Sequence, residues 1–260
     1  MPQPHPLAQL PPVEEEGDFY VGYYRQAPPS RARWVQRAVA LLGLVACGLA
    51  LLFAFAQAPS PPARFEASQL ETFEGTLELR PHPTLWLASP SPGPAPAWSL
   101  LVAPGKHGAE ALVAGLNGRA IRLQGRPIRR EGGLMIEVEP GTVEPLPGPA
   151  ATAPARRSLG RIELEGEIVD GKCYLGAMVP GEGKPHRGCA ARCISGGAPP
   201  LLRVRAENGP AFQVLLMAED GGPLGPEILP FVAEPVRVKG TLYRQGSRLV
   251  LALGGAIERL

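Results

Sequence analysis

Three cysteines and one histidine fall within the glycine- and proline-rich stretch Gly171–Pro200 of this 260-residue chain: Cys173, His186, Cys189 and Cys193. Their spacing is C-x12-H-x2-C-x3-C. Cys189 and Cys193 stand at i and i+4, so a helical turn sets both sulfurs on one face, and His186 joins them if that turn begins at Pro185. Three thiolates and an imidazole make a tetrahedral Cys3His set for zinc, and soft sulfur ligands also suit copper(I). The same residues allow two other chemistries. Cys173 could pair with Cys189 or with Cys193 as a disulfide stapling a loop too rich in glycine to pack alone. The odd sulfur would then be a redox-active thiol, its pKa lowered by Arg187, Arg192 and His186 close by in sequence. Asp170, three residues before Cys173, is expected either to shape a turn or to hydrogen-bond a metal ligand.

Other chemistries are poorly represented. The C-x-x-C-H haem attachment motif is absent, which disfavours c-type haem, and so is the four-cysteine run of a ferredoxin. No G-x-S-x-G nucleophile motif occurs, no catalytic residue is assigned, and the chain reads as a non-enzyme. The remaining histidines are His5, His82 and His107; the last lies in GKHGAE (Gly105–Glu110), which lacks the spacing of a phosphate loop and reads as a solvated turn. Net charge is +2 and aromatic content 6%, so neither the basic excess nor the stacking residues of a nucleic-acid-binding protein are present.

The compartment decides much about three sulfurs. Ala38–Ala56 holds 19 residues without a charge, which as a helix spans roughly 28 Å, about one hydrocarbon core. Trp34 precedes it, where an interfacial ring is expected. Arg25, Arg31, Arg33 and Arg37 lie on its N-terminal side, whereas Glu66, Glu71 and Glu74 accompany the lone Arg64 beyond it. The positive-inside rule then puts the N-terminus in the cytoplasm and the chain from 59 onward outside. Ala56-Gln57-Ala58 resembles a signal-peptide cleavage site, but the preceding charged region is too long and the apolar run exceeds a signal core, so an uncleaved single-pass anchor over 34–58 is expected. Export favours the disulfide. Cys47, mid-span, reads as a small buried hydrophobe. The tail before the anchor, 1–33, opens with proline-rich sequence expected to be disordered and then carries Phe19, Tyr20, Tyr23 and Tyr24, suited to the headgroup region or to docking on an integral-membrane partner.

The elements that must position the cysteine loop are short strands. There are 32 glycines and 32 prolines, about a quarter of the chain, yet 45% of residues are apolar, so packed units lie between turns. Arg119–Val138 and Pro235–Leu253 match at a constant offset, with Ile121, Leu123, Gly125, Leu134, Ile136 and Val138 corresponding to Val236, Val238, Gly240, Leu249, Leu251 and Leu253. Each reads as a strand kinked at glycine, a polar turn and a second strand. Phe73–Leu79 and Arg161–Val169 alternate around a Glu-Gly pair, and Trp98–Ala103 and Phe212–Ala218 supply middle strands. Helix-compatible stretches follow at Gly108–Gly118 and Pro223–Glu234. The expected fold is mainly β: one N-terminal transmembrane helix and, after a 59–63 spacer, two tandem OB-like barrels over 64–147 and 159–260 with a 148–158 linker. Aligning Gly75 on Gly166 sets His82 opposite Cys173, so the cysteine loop is an elaboration of one barrel at a strand end. Glu163, Glu165 and Glu167 alternate with apolar residues as a solvated strand face.

EGEIVD followed by CYLG, KPHRGCAARC and GGAPP resembles the signature of a group of largely uncharacterised exported bacterial OB-like domains, in which V-x-V-x-G follows, here Val236, Val238 and Gly240. The resemblance covers Glu165 to about Leu253 and implies export, with Cys173, His186, Cys189 and Cys193 as signature positions. Pro185 departs from the lysine common before the histidine. An OB-like domain hung from one N-terminal helix also resembles haem-handling and respiratory accessory proteins, although the chain ends GGAIERL, without the C-terminal H-D-x2-Y context of the haem chaperones. The expectation is a membrane-anchored extracytoplasmic accessory or assembly protein of a redox or respiratory complex; the alternative is a thiol-redox or metal-carrying protein acting through the cysteine loop.

Overall fold

The computed structural model describes residues 29–56, 63–88, 97–130, 132–204 and 211–260. The chain divides into two units, Met1–Ser60 and Pro61–Leu260. In the first, helix α1 runs Pro29–Ala56. Its segment Arg31–Ala56 is 26 residues, long and apolar enough to cross a membrane once, at roughly 39 Å by helical rise. Its leucines and phenylalanines, among them Leu44, Leu52 and Phe55, are exposed. Phe19, Tyr20, Tyr23 and Tyr24 lie outside the described residues.

The second unit is built of strands. Its first half contains β1 (Ala63–Phe65), β2 (Glu71–Glu78), β3 (Thr84–Leu87), β4 (Trp98–Ala103), β5 (His107–Gly108), β6 (Ala120–Arg130), β7 (Gly133–Val138) and β8 (Glu144–Pro145). Its second half contains β9 (Arg157–Asp170), β10 (Pro200–Val204), β11 (Phe212–Met217), β12 (Pro235–Gln245), β13 (Arg248–Leu253) and β14 (Glu258–Arg259). Strands β2, β3, β4, β7 and β6 close on themselves, as do β9, β10, β11, β13 and β12. Every pair in each ring is antiparallel except β4 with β7 and β11 with β13, which are parallel. Both are therefore five-stranded barrels of OB connectivity, as the repeat predicts.

The repeated glycines explain how such small barrels close. A Cβ at Gly240 would lie 2.1 Å from the Ala252 carbonyl oxygen and one at Gly125 2.8 Å from that of Glu137. Gly75 and Gly166 meet the Trp86 and Arg203 carbonyls in the same way, at 2.1 and 2.4 Å. At each of these four places one strand folds sharply over its neighbour and leaves no room for a side chain.

The two helix-compatible stretches differ from expectation. Gly108–Gly118 forms turns, with Leu112 N–H donating to Ala109 O and Leu116 N–H to Val113 O. Pro226–Phe231 forms a single 3-10 segment. Glycines at 108, 115 and 118 and prolines at 226 and 230 are the physical reason.

Each barrel has its own core. Phe73, Leu77, Leu85, Leu101, Ile121 and Ile136 fill the first, and Ile168, Leu202, Val214, Leu216, Val236 and Leu251 the second. A third core joins them: Leu100, Val102, Ile128 and Met135 of the first barrel pack with Val169, Tyr174, Leu175, Leu201 and Leu215 of the second. Strand β4 illustrates why. Leu101 points into its own barrel while Leu100 and Val102 point at the neighbour, so the run LLV is buried on both faces. Beside this seam Arg248, fully buried, donates to Thr84 Oγ1 at 2.6 Å and Glu78 Oε2 at 2.9 Å and lies 4.9 Å from the Trp86 ring. Desolvation lowers its pKa to about 10.

Candidate metal centre

The cysteine loop connects β9 to β10, the first two strands of the second barrel. Cys173 opens it in a helical turn, Cys173–Ala177. A 3-10 turn over Lys184–His186 leads into α2, Arg187–Ser195, which carries Cys189 and Cys193 one turn apart. Pro185 sets the dihedral at the start, and Gly196 ends the helix, its N–H donating to Arg192 O and Cys193 O. Ala190, Cys193 and Ile194 form the buried face, and Ala190 and Ile194 dock in the core of the second barrel. Arg187 pins the helix start by donating to Glu234 Oε1 at 2.8 Å and Pro230 O at 3.1 Å.

These constraints bring the sulfurs together. Cys173 Sγ lies 3.9 Å from Cys189 Sγ and 4.0 Å from Cys193 Sγ. Ligands held about 2.3 Å from one tetrahedral ion have sulfurs about 3.8 Å apart, so Cys173 stands at coordination spacing from each of the other two sulfurs. The expected disulfide is not formed: Cys173, Cys189 and Cys193 are free thiols, at about twice the S–S bonding distance of about 2.05 Å. Helix α2 and the Cys173 turn hold Cys173 Sγ apart from the other two sulfurs instead of bonded to either.

The histidine and the acid lie beside the sulfurs in two groups that share Cys173. Ligand atoms of Cys173, His186 and Cys189 lie within 4.8 Å of one another, and so do those of Asp170, Cys173 and Cys193. Asp170 and His186 are both buried. Asp170 Oδ2 is 3.0 Å from His186 Nε2, and its Oδ1 accepts the Cys173 backbone N–H at 2.8 Å. One carboxylate thus orients the imidazole and the turn that bears a sulfur. Such a carboxylate fixes the tautomer of a ligating histidine and raises its basicity. Of the two expectations for Asp170, the contact with His186 supports hydrogen bonding to a ligand, and the contact with Cys173 shows that it shapes the turn as well.

The sulfurs are electrostatically unequal. Hydrogen bonding to Cys173 lowers the Cys193 pKa to about 7, helped by the nearby Lys106 charge and opposed by burial and Asp170. Hydrogen bonding to Cys193, burial and Asp170 push Cys173 far above the ordinary thiol range. Cys189 is the least buried of the three.

Sequence reasoning missed the first barrel's share in this centre. Lys106 Nζ is 2.7 Å from Cys189 Sγ and 3.8 Å from Cys193 Sγ. The GKHGAE stretch read as a plain solvated turn thus reaches across the seam. Lys172, beside Cys173, sends its own ammonium the opposite way. Lys172 Nζ donates to Ala103 O at 2.9 Å and Gly105 O at 2.7 Å and meets Glu137 Oε2 at 2.5 Å. One signal was available: the chain has only four lysines against 26 basic residues, and two of them, Lys106 and Lys172, stand at this seam. Glu167, expected on a solvated strand face, is half-buried and accepts the Gly183 N–H, which ties the loop to β9. Glu163 and Glu165 do face solvent and pair with Arg237.

His82, the positional counterpart of Cys173, is buried in the first barrel with its Nδ1 3.5 Å from Glu110 Oε1. A cleft lined by Trp98, Leu134, Leu175, Leu201 and Phe212 borders the seam, and among the described residues its lining has no titratable group. No protein-family model, curated protein or solved structure matches the chain.

Proposed function

We propose that this chain is a membrane-anchored, extracytoplasmic accessory protein that carries a thiophilic metal ion, zinc or copper, through Cys173, His186, Cys189 and Cys193. The observation that carries the reading is the spacing of the sulfurs around Cys173, 3.9 and 4.0 Å, which suits coordination of one ion. The buried Asp170–His186 pair supports it, since a carboxylate behind an imidazole is the usual support of a metal-bound histidine. Helix α1 serves as the anchor, and arginines before it favour a cytoplasmic N-terminus. An integral-membrane partner, met through Phe19, Tyr20, Tyr23 and Tyr24, and a place in the assembly of a redox or respiratory complex complete the reading.

The test is metal content. The full chain, purified in mild detergent with a reductant, is exposed to zinc or copper(I), desalted and analysed for metal and free thiols. About one ion per chain is expected, with uptake weakened in His186→Ala and abolished when Cys173 and Cys189 are both changed to serine. Uptake below a tenth of an equivalent of either metal refutes the reading.

A further inference from the structure

We propose that the first barrel supplies Lys106 as the charge-compensating residue of the sulfur centre. The inference rests on the metal reading above and adds to it a residue from outside the cysteine loop.

Charge balance is the first argument. Three thiolates and a neutral imidazole around a divalent ion leave one net negative charge; around copper(I) they leave two. The Asp170 carboxylate, bonded to His186 and the Cys173 N–H, lies within 4.8 Å of the Cys173 and Cys193 sulfurs and adds a further negative charge in either case. Lys106 brings one positive charge to within 2.7 Å of Cys189 Sγ and 3.8 Å of Cys193 Sγ, where it offsets part of this negative excess for either ion. Among the described residues no other lysine contacts these sulfurs. A thiolate has lone pairs to coordinate an ion and to accept an N–H bond together, so Lys106 and the metal do not compete for Cys189.

The second argument is that the fold positions this lysine. Lys172 holds the carbonyls of Ala103 and Gly105, which flank the turn leading to Lys106. Beyond it, Gly108 N–H donates to Gly196 O at 2.8 Å, joining the turn to the residue that ends α2. The approach is so close that a Cβ at Gly196 would lie 1.8 Å from the Lys106 carbonyl oxygen. The backbone of the Lys106 turn is therefore fastened on both sides of the lysine, each time to a residue adjoining a centre cysteine's segment. Lysine suits this place better than arginine because a compact ammonium can sit over one sulfur, while a guanidinium fork spreads its charge.

The experiment compares wild type, Lys106→Met and Lys106→Arg as full chains in mild detergent. Lys106 is exposed, so its replacement should leave the metal-free thermal transition unchanged, and that transition serves as the folding control. Zinc affinity is read by competition with a chromophoric chelator. Lys106→Met is expected to lose about 10–100-fold, the usual effect of removing a partner of a metal ligand, and Lys106→Arg to recover part of it. Copper(I) affinity should fall by a larger factor than zinc affinity in Lys106→Met, because the copper(I) complex carries more negative charge for the ammonium to stabilise. The cobalt(II) derivative gives a readout that a merely structural role would not move: without the N–H bond the thiolate is more electron-rich, and its sulfur-to-cobalt band should shift to longer wavelength. If wild type binds one zinc and Lys106→Met binds it within twofold, with an unchanged cobalt spectrum, this inference is overturned while the metal reading stands. If wild type takes up neither zinc nor copper(I), the metal reading itself fails.

Discussion

Lys172→Met removes a buried ammonium that serves three acceptors at once. The Lys172 and Glu137 side chains are only 5% and 11% exposed. Breaking a buried pair by deleting one partner costs about 3–5 kcal/mol, mostly because the other charge is left without compensation. Glu137 keeps a little solvent contact, which moves the ion-pair part toward about 3 kcal/mol, and the Ala103 and Gly105 carbonyls add about 1 kcal/mol for their lost charged donor. The expected total is about 4 kcal/mol, a large share of the ~5–15 kcal/mol of a typical fold. Glu137→Gln keeps an acceptor of the same shape and should cost about 1.5–3 kcal/mol. The diagnostic variant is the double replacement Lys172→Met with Glu137→Met. Removing both charges together should destabilise less than Lys172→Met alone, because no buried charge is stranded. Urea unfolding of the full chain in detergent, followed by tryptophan fluorescence from Trp86 and Trp98, measures all three. A Lys172→Met cost below about 1 kcal/mol, or a double variant costing the sum of the singles, would refute the argument that this pair is a desolvated clamp between barrels.

Further outcomes follow from other contacts. Arg248→Met should cost about 2–4 kcal/mol by urea unfolding, since it deprives Glu78 and Thr84 of a buried donor, though Glu78 keeps Trp86 Nε1 at 2.9 Å; a cost under 1 kcal/mol contradicts that assignment. Gly240→Ala forces a Cβ to 2.1 Å from the Ala252 carbonyl and should cost about 1–3 kcal/mol, whereas Gly188→Ala in α2, with nothing within 4 Å, should stabilise by about 0.5–1 kcal/mol. Opposite signs in thermal melts are the check. Gly196→Ala should displace the Lys106 turn, and zinc affinity should fall as it does in Lys106→Met; unchanged affinity speaks against a fastened turn. The full chain should resist extraction from membranes by alkaline carbonate, and a reporter enzyme active only outside the cytoplasm should work when fused after Leu260; activity only of a cytoplasmic reporter reverses the proposed orientation.

Much of the fold was legible because its signals are local. The alternation of Ile121 and Leu123, and of Val236 and Val238, each broken by a glycine two residues on, is a strand bent around a barrel, and the repeat doubles the signal. The convergence of Cys173, His186, Cys189 and Cys193 was legible for the same reason, since twenty-one residues contain them all. The arrangement of the sulfurs was not. Whether thiols bond or stand at coordination spacing depends on how the Cys173 turn and α2 are docked, and that is set by Ala190 and Ile194 packing on the barrel and by Arg187 reaching Glu234. Lys106 and Glu137 were further out of reach. Their meeting with the loop requires two barrels to share a core, and only unbroken runs such as Leu100-Leu101-Val102 hinted that strands were covered on both faces. Turn-formers within Gly108–Gly118 also outweighed a helix-compatible apolar pattern.

The seam between the barrels bears on how the duplicated halves can change over time. Duplication usually leaves each copy free to drift or to be lost. Here one copy bears the sulfurs and the other contributes Lys106, Glu137 and the Ala103 and Gly105 carbonyls to their surroundings. The copy without cysteines is thereby tied to the chemistry of its sister. A lineage that abandons the sulfurs should be released at Lys106, Glu137 and Lys172 together, and a lineage that sheds the first barrel should have to find another cation for Cys189.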